Sequence, residues 1–127
     1  MGMLMKPGIE LTAIHPAVEA GVNNQDIDGL MALYTEDASM QENAAPPRVG
    51  RDGLVAHERA VLERMASVVS VCVSSTVEGD RVAIHWNFEL TDKAGKVRRF
   101  DEVALQEWRG DKIFRERFFY DPTKISA

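Results

Sequence analysis

From Val68 to Tyr120 apolar side chains recur at every second position, in runs broken by clusters of turn-forming residues, and that period predicts β-strands. The strands fall at Val68–Val77, Arg81–Leu90, Phe100–Trp108 and Phe114–Tyr120, separated by Glu78-Gly79-Asp80, Asp92-Lys93-Ala94-Gly95 and Gly110-Asp111. Connections this short predict an antiparallel meander. Before Val68 the period is helical. A loose tail over residues 1–8 leads to an irregular helical region ending near Asn24, with Pro16 in a first turn and Thr12 or His15 near its cap. Asp26 or Asp28 caps a second helix carrying Leu30, Met31, Leu33 and Tyr34, followed by a short strand, Ala38–Glu42. Asn43–Gly50, with Pro46-Pro47, reads as an irregular pocket rim. A third helix runs from Arg51-Asp52 to about Met65, with Leu54, Val55, Val61, Leu62 and Met65 as its apolar stripe. Glu58, Arg59, Glu63 and Arg64 form its exposed face, and His57 adjoins the stripe. Helices gathered at the front and a sheet behind predict an α+β sandwich.

The strand faces carry an anomaly. One face of the third strand reads Phe100, Glu102, Ala104, Gln106, Trp108, and one face of the fourth reads Phe114, Glu116, Phe118, Tyr120. Burying an ionised carboxylate among aromatics is costly unless it is paired or hydrogen-bonded, so these glutamates are either satisfied structurally or kept for chemistry. A β-bulge or register slip would turn them outward. The opposite face of the last strand, Ile113, Arg115, Arg117 and Phe119, suits solvent or a subunit contact, which directs Glu116 inward. In the second strand Val82, Ile84, Trp86, Phe88 and Leu90 share the inner face, with His85 outside.

With 127 residues and 45% hydrophobic content, the chain suits one domain over 1–127. A formal charge of -5, with basic residues interspersed among acids, speaks against nucleic acid as a partner. Cys72 is the lone cysteine and reads as a small strand residue, and no apolar run reaches membrane-spanning length, so a cytoplasmic setting away from membranes is expected. There is no phosphate-binding glycine loop or nucleophile elbow, and His15, His57 and His85 have no ligand-like spacing. Acid/base chemistry without metal or cofactor fits best, in an apolar pocket where Trp86, Trp108, Phe118, Tyr120, Glu102, Gln106 and Glu116 converge. Phe88, Tyr34 and His57 complete the candidate lining.

The order of elements, the block Asn24-Gln25-Asp26-Ile27-Asp28-Gly29-Leu30-Met31-Ala32-Leu33-Tyr34-Thr35-Glu36-Asp37-Ala38 and the ending Trp108-Arg109-Gly110-Asp111-Lys112-Ile113 resemble the SnoaL-like and ketosteroid isomerase-like branch of the nuclear-transport-factor-2-like superfamily. The closing Glu116-Arg117-Phe118-Phe119-Tyr120-Asp121-Pro122 extends that resemblance. It implies a cone-shaped, cystatin-like α+β fold, with three N-terminal helices packed on a curved antiparallel sheet around a deep cavity for a small apolar, carbonyl-bearing ligand. It also implies a homodimer through the outer sheet face, where Val71, Val73, Phe119, Arg115 and Arg117 lie. Anchored on Asp37-Ala38, it brings the isomerase base onto Glu42, with Glu116 and Glu102 as further carboxylates of the site. The isomerase tyrosine and neutral acid fall near Val18 and Ala104, neither of which donates a hydrogen bond, so unless Gln106, Tyr120 or Tyr34 takes over that role the resemblance implies a reaction other than steroid isomerisation, of isomerase, cyclase or hydrolase type. Arg99 and Asp101 look like an epoxide-hydrolase pair, but alternation places them on the outer face. The alternative is a ligand-binding or association module without catalysis.

Overall fold

The computed structural model describes residues 5–6, 9–10 and 26–126, with side chains over 26–124. The helical region expected up to Asn24, with His15, Pro16 and Val18, lies outside the described residues. Two short strands, β1 (Met5–Lys6) and β2 (Ile9–Glu10), pair antiparallel.

Asp26 caps α1 (Ile27–Met31) by accepting a 3.1 Å hydrogen bond from the Gly29 N–H. A Cβ on Gly29 would lie 2.3 Å from the Asp26 carboxyl, so the cap and the glycine require each other. The helix does not run on through Leu33 and Tyr34 as the period suggests. Tyr34 instead opens β3 (Tyr34–Glu42), which starts before the expected Ala38 because Tyr34 pairs with Ile113 of a later strand. The expected loop then contains β4 (Arg48–Val49), a short partner of β3.

The long helix α2 (Arg51–Glu63) inserts Leu54, which is 1% exposed, into the core, while the Arg51 guanidinium donates to the Tyr34 carbonyl. It ends ahead of Met65, which belongs to β5 (Met65–Glu78). Then follow β6 (Arg81–Asp92), β7 (Val97–Arg109), β8 (Lys112–Tyr120) and a closing turn of helix, α3 (Thr123–Ser126). Gly79 and Gly110 take the left-handed φ values of 57° and 64° that their tight turns need.

The sheet has six strands in the order β4-β3-β8-β7-β6-β5. The meander from β5 to β8 is antiparallel, but β3 and β8 run parallel, which corrects the expectation of a wholly antiparallel sheet. Turn chemistry specifies neighbours in sequence, whereas this pair is joined by long-range docking. Register shifts in β5 after Cys72, and between β7 and β8 at Glu107/Trp108, mark bulges, where a strand bends and its twist increases.

The second shift corrects the reading of β8. Ile113 pairs with Trp108 and Arg115 with Glu107, leaving Phe114 as the extra residue of a bulge. Ile113, expected outside, is fully buried, and Phe114, expected inside, sits between the Arg109 and Arg115 guanidinium groups, 4.7 and 5.3 Å from its ring centre. Beyond the bulge the expected alternation resumes, and Glu116 faces the core. Ile27, Met31, Tyr34, Leu54, Ile84 and Trp108 fill the space between α1, α2 and the sheet.

Candidate active site

Strand register converts the inner face of the sheet into rows. Met40 of β3, Glu116 of β8, Gln106 of β7 and Val82 of β6 form the first. Glu42, Phe118, Ala104 and Ile84 form the second, and Tyr120, Glu102 and Trp86 the third. Beyond these lie Phe100 and Phe88, stacked with ring centres 5.4 Å apart, and Phe100 in turn meets Tyr120 at 5.9 Å. Glu102 is thus set among Trp86, Phe100 and Tyr120, with the methyl group of Ala104 as its neighbour toward Gln106.

A hydrogen-bond chain runs through Gln106 and Glu116 of the first row. The Trp108 indole N–H donates to Gln106 Oε1 at 3.2 Å, which turns the amide so that its Nε2 donates to Glu116 Oε2 at 2.8 Å. The Tyr34 hydroxyl donates to the other oxygen, Glu116 Oε1. Glu116 is 3% exposed, and burial raises its pKa to about 7 even though both hydrogen bonds favour the ionised form. Burial and the adjacent Glu116 hold the Tyr34 hydroxyl well above the usual tyrosine range.

Glu102 accepts no hydrogen bond among the described residues. Burial, reinforced by Glu116, Glu42 and Glu58, raises its pKa to about 8, so at neutral pH it is largely a protonated carboxylic acid. Glu58 reaches the same space from α2, and its pKa is raised by burial and then by Glu42. That corrects the reading of Glu58 as an exposed helix residue. Its signal was in the sequence, because Leu54, Glu58 and Leu62 follow one another at i, i+4 on a single face.

Glu42 stands at the rim, where Arg48 of β4 reaches it at 3.3 Å and where both side chains keep more than a third of their exposure. Asn43, in the left-handed region at φ 50°, anchors this end of β3 to β8 by donating to the Phe118 carbonyl and accepting from the Tyr120 N–H. The Tyr120 hydroxyl titrates above its ordinary range through burial and through Glu42, which it approaches closely. His57, half-buried beside this rim, is held below its ordinary pKa by burial and by Arg48. The Arg48 charge acts on Glu58, Tyr120 and His57 as well as pairing with Glu42, a role with no sequence signal beyond its place after Pro46-Pro47.

The structure therefore brings Glu42, Glu102, Glu116, Gln106, Trp108, Tyr34, Trp86, Phe118 and Tyr120 to one inner face, with Phe88 beside Phe100 and His57 at the rim. Arg99 and Asp101 lie outside, paired with Glu89 and with Asn87 and His85. Two surface clefts near the start of α2, one lined by Asp28, Met31 and Val55 and the other by Glu36, Val49 and Gly53, both adjoin Arg51 and Asp52, apart from these carboxyls. Among the described residues no three His, Cys, Asp or Glu side chains group as metal ligands, and no helix is long and apolar enough to cross a membrane.

The model of the SnoaL-like domain family matches residues 17–116. No curated protein matches the chain. Among solved structures, a protein from Jannaschia sp. CCS1 described as a SnoaL-like polyketide cyclase is similar at a TM-score of 0.80 and 19% identity, covering 92% of this chain and 91% of that one. A ketosteroid isomerase-like fold protein from Catenulispora acidiphila, solved with trimethylamine, has a TM-score of 0.80 at 18% identity over 88% of each chain. An epoxide hydrolase of LEH-like type from M. tuberculosis has a TM-score of 0.75 at 15% identity, covering 87% of this chain and 81% of that one. At these identities the likeness shows the fold.

Proposed function

The chain belongs to the SnoaL-like domain family, and from that premise we propose that it binds a small, largely apolar, carbonyl-bearing molecule on the inner sheet face and moves a proton on it without a cofactor. The observation that carries this reading is Glu102, a carboxyl group without a hydrogen-bond partner among the described residues, set in aromatic surroundings and titrating near 8. A group poised close to neutrality donates and recovers a proton with little free-energy cost either way. Glu42, ion-paired with Arg48 at the rim, is the complementary carboxylate that takes a proton from carbon. The cyclase and hydrolase descriptions of the fold's neighbours support proton-transfer chemistry of this class.

Glu116 has a different place in this reading. Both its oxygens are occupied, so it anchors Tyr34 and Gln106 rather than meeting ligand. That chain also favours a second reading, a binding module in which the inner carboxyls are structural. Exchange of the C2 protons of 1-indanone in D2O, followed by NMR, separates the two. Acid/base catalysis predicts deuterium uptake well above the buffer rate, falling at least tenfold in Glu42→Gln and in Glu102→Gln. Exchange at the buffer rate, with indanone nonetheless bound, would favour the binding module.

We also propose that the outer sheet face mates with a second copy of the chain in a cytoplasmic homodimer. Val69, Val71, Val103 and Phe119 are exposed there, flanked by arginine and carboxylate side chains of both signs, which suits a self-complementary contact.

A further inference from the structure

Away from the carboxyl cluster, the outer sheet face carries its own pair of metal-ligating side chains. His85 Nε2 and Asp101 Oδ1 lie 3.4 Å apart, and the two side chains are 39% and 67% exposed. That separation is longer than the roughly 2.7–3.2 Å of an ordinary N–H···O hydrogen bond. It does match two ligands on one tetrahedral zinc ion, which stand about 3.3–3.4 Å apart when each bond is about 2.0–2.1 Å. Asn87 Nδ2 donates to the same Asp101 oxygen at 3.0 Å, which orients the carboxylate and holds its pKa below the usual range.

Strand register sets this pair amid exposed apolar side chains. Val71, Asn87 and Asp101 form one outward row, and His85, Val103 and Phe119 form the next. Val71, Val103 and Phe119 are all exposed, so the pair lies inside the apolar patch and not at its border. A self-complementary contact over such a patch sets each group near its axis against the same group of the other copy.

Zinc takes four ligands in a structural site, and one copy offers two here. No third His, Cys, Asp or Glu joins such a group among the described residues, so the set can be completed only in an assembly. We propose that a divalent ion of the zinc class is held on the axis of the homodimer, by His85 and Asp101 of one protomer and the same two residues of its partner. The inference rests on the outer-face dimer proposed above, and the ion takes no part in proton transfer on the inner face.

Charge gives the ion a purpose. Mating two copies without it brings two Asp101 carboxylates together in a contact that excludes water, and like charges there oppose association. Two neutral imidazoles, two carboxylates and one divalent cation sum to zero, so the same groups can then be buried. The other charged side chains of this face are matched within one copy, Arg99 with Glu89 and Arg115 with Glu107, and do not compete for the ion.

The test uses the intact chain, freed of metal with EDTA and dialysed, then titrated with ZnCl2 by calorimetry and followed by analytical ultracentrifugation. One zinc per two chains is expected, with the dimer dissociation constant falling at least tenfold. CoCl2 in its place should give the strong visible absorption of tetrahedral cobalt. His85→Ala should lose both responses, while His15→Ala keeps them. Asp101→Asn should ignore zinc yet dimerise more tightly than the metal-free wild type, because the carboxylate repulsion is gone; a merely structural surface pair would not produce that reversal. If the wild type dimerises equally with and without zinc, this inference fails alone and the dimer reading stands. Uptake that persists in His85→Ala, or a cobalt–sulfur charge-transfer band from Cys72, would place the metal elsewhere and overturn it. A chain that stays monomeric with and without zinc would remove the dimer and this site together.

Discussion

Whether a carboxyl group is tolerated on an aromatic floor depends on which protonation state its surroundings prefer, and Glu102 and Glu116 resolve that question differently. Glu116 has both oxygens occupied by donors, whereas Glu102 has aromatic walls and other carboxyls around it. Both pKa values are raised from 4.5, to about 7 and about 8, so the folded chain holds protons that the unfolded chain has released. The unfolded state then binds fewer protons, and stability declines as pH rises. The contribution is complete below 4.5 and is lost progressively up to about 8 for Glu102. Melting temperature measured from pH 4 to pH 9 should therefore fall more steeply above pH 5 in the wild type than in Glu102→Gln. The variant should equal the wild type at pH 4 and exceed it at pH 9, keeping a residual slope from Glu116. A variant that is less stable at every pH would show that Glu102 is held as an anion instead.

At the level of elements, one inserted residue in β8 decides what faces the core. The bulge rotates Ile113 inward and Phe114 outward and then restores the alternation ahead of Glu116. Without it, either Ile113 or Glu116 would have to face the wrong side. Chemical denaturation should therefore show Ile113→Ala costing about 2–5 kcal/mol, as for a buried aliphatic side chain. Phe114→Ala should cost about 1 kcal/mol or less, since the ring lies between two arginines at the surface. The reverse order would return β8 to simple alternation. Helix α2 has a comparable role on the other wall, since the turn that buries Leu54 also carries Glu58 toward the sheet carboxyls.

At the level of the molecule, the parallel pairing of β3 with β8 joins the two ends of the described chain and delivers Glu42 to the row containing Phe118. The sheet then has two different faces, an inner one of aromatics and carboxyls and an outer one with Val69, Val71, Val103 and Phe119 exposed between charged pairs. A stable dimer needs roughly 800 Å² per partner, a demand that four strands of exposed sheet are broad enough to meet. Light scattering should give twice the chain mass for the wild type and the single-chain mass for Val71→Asp, with the fold unchanged by circular dichroism. A wild type that is monomeric at micromolar concentration would remove the outer face from consideration as an interface.

The meander, its turns and the inward direction of Glu102, Gln106, Glu116, Trp86 and Trp108 were legible in the sequence, because period-two alternation and turn residues are local properties that a strand expresses wherever it is placed. The family was legible for the same reason, since its marks are contiguous blocks. What only the tertiary structure decided depends on groups far apart in the chain. Tyr34 left its expected helix because Ile113 offered a strand to pair with, and β3 joined β8 in parallel for the same cause. The β8 bulge was settled by which of Ile113 and Phe114 fits beneath Trp108. The division of labour among the carboxyls followed from partners brought by separate elements: Tyr34 and Gln106 to Glu116, Arg48 to Glu42, and none among the described residues to Glu102. Alternation tells which way a side chain points, but its protonation depends on desolvation and on neighbouring charges, and those exist only once the chain has folded.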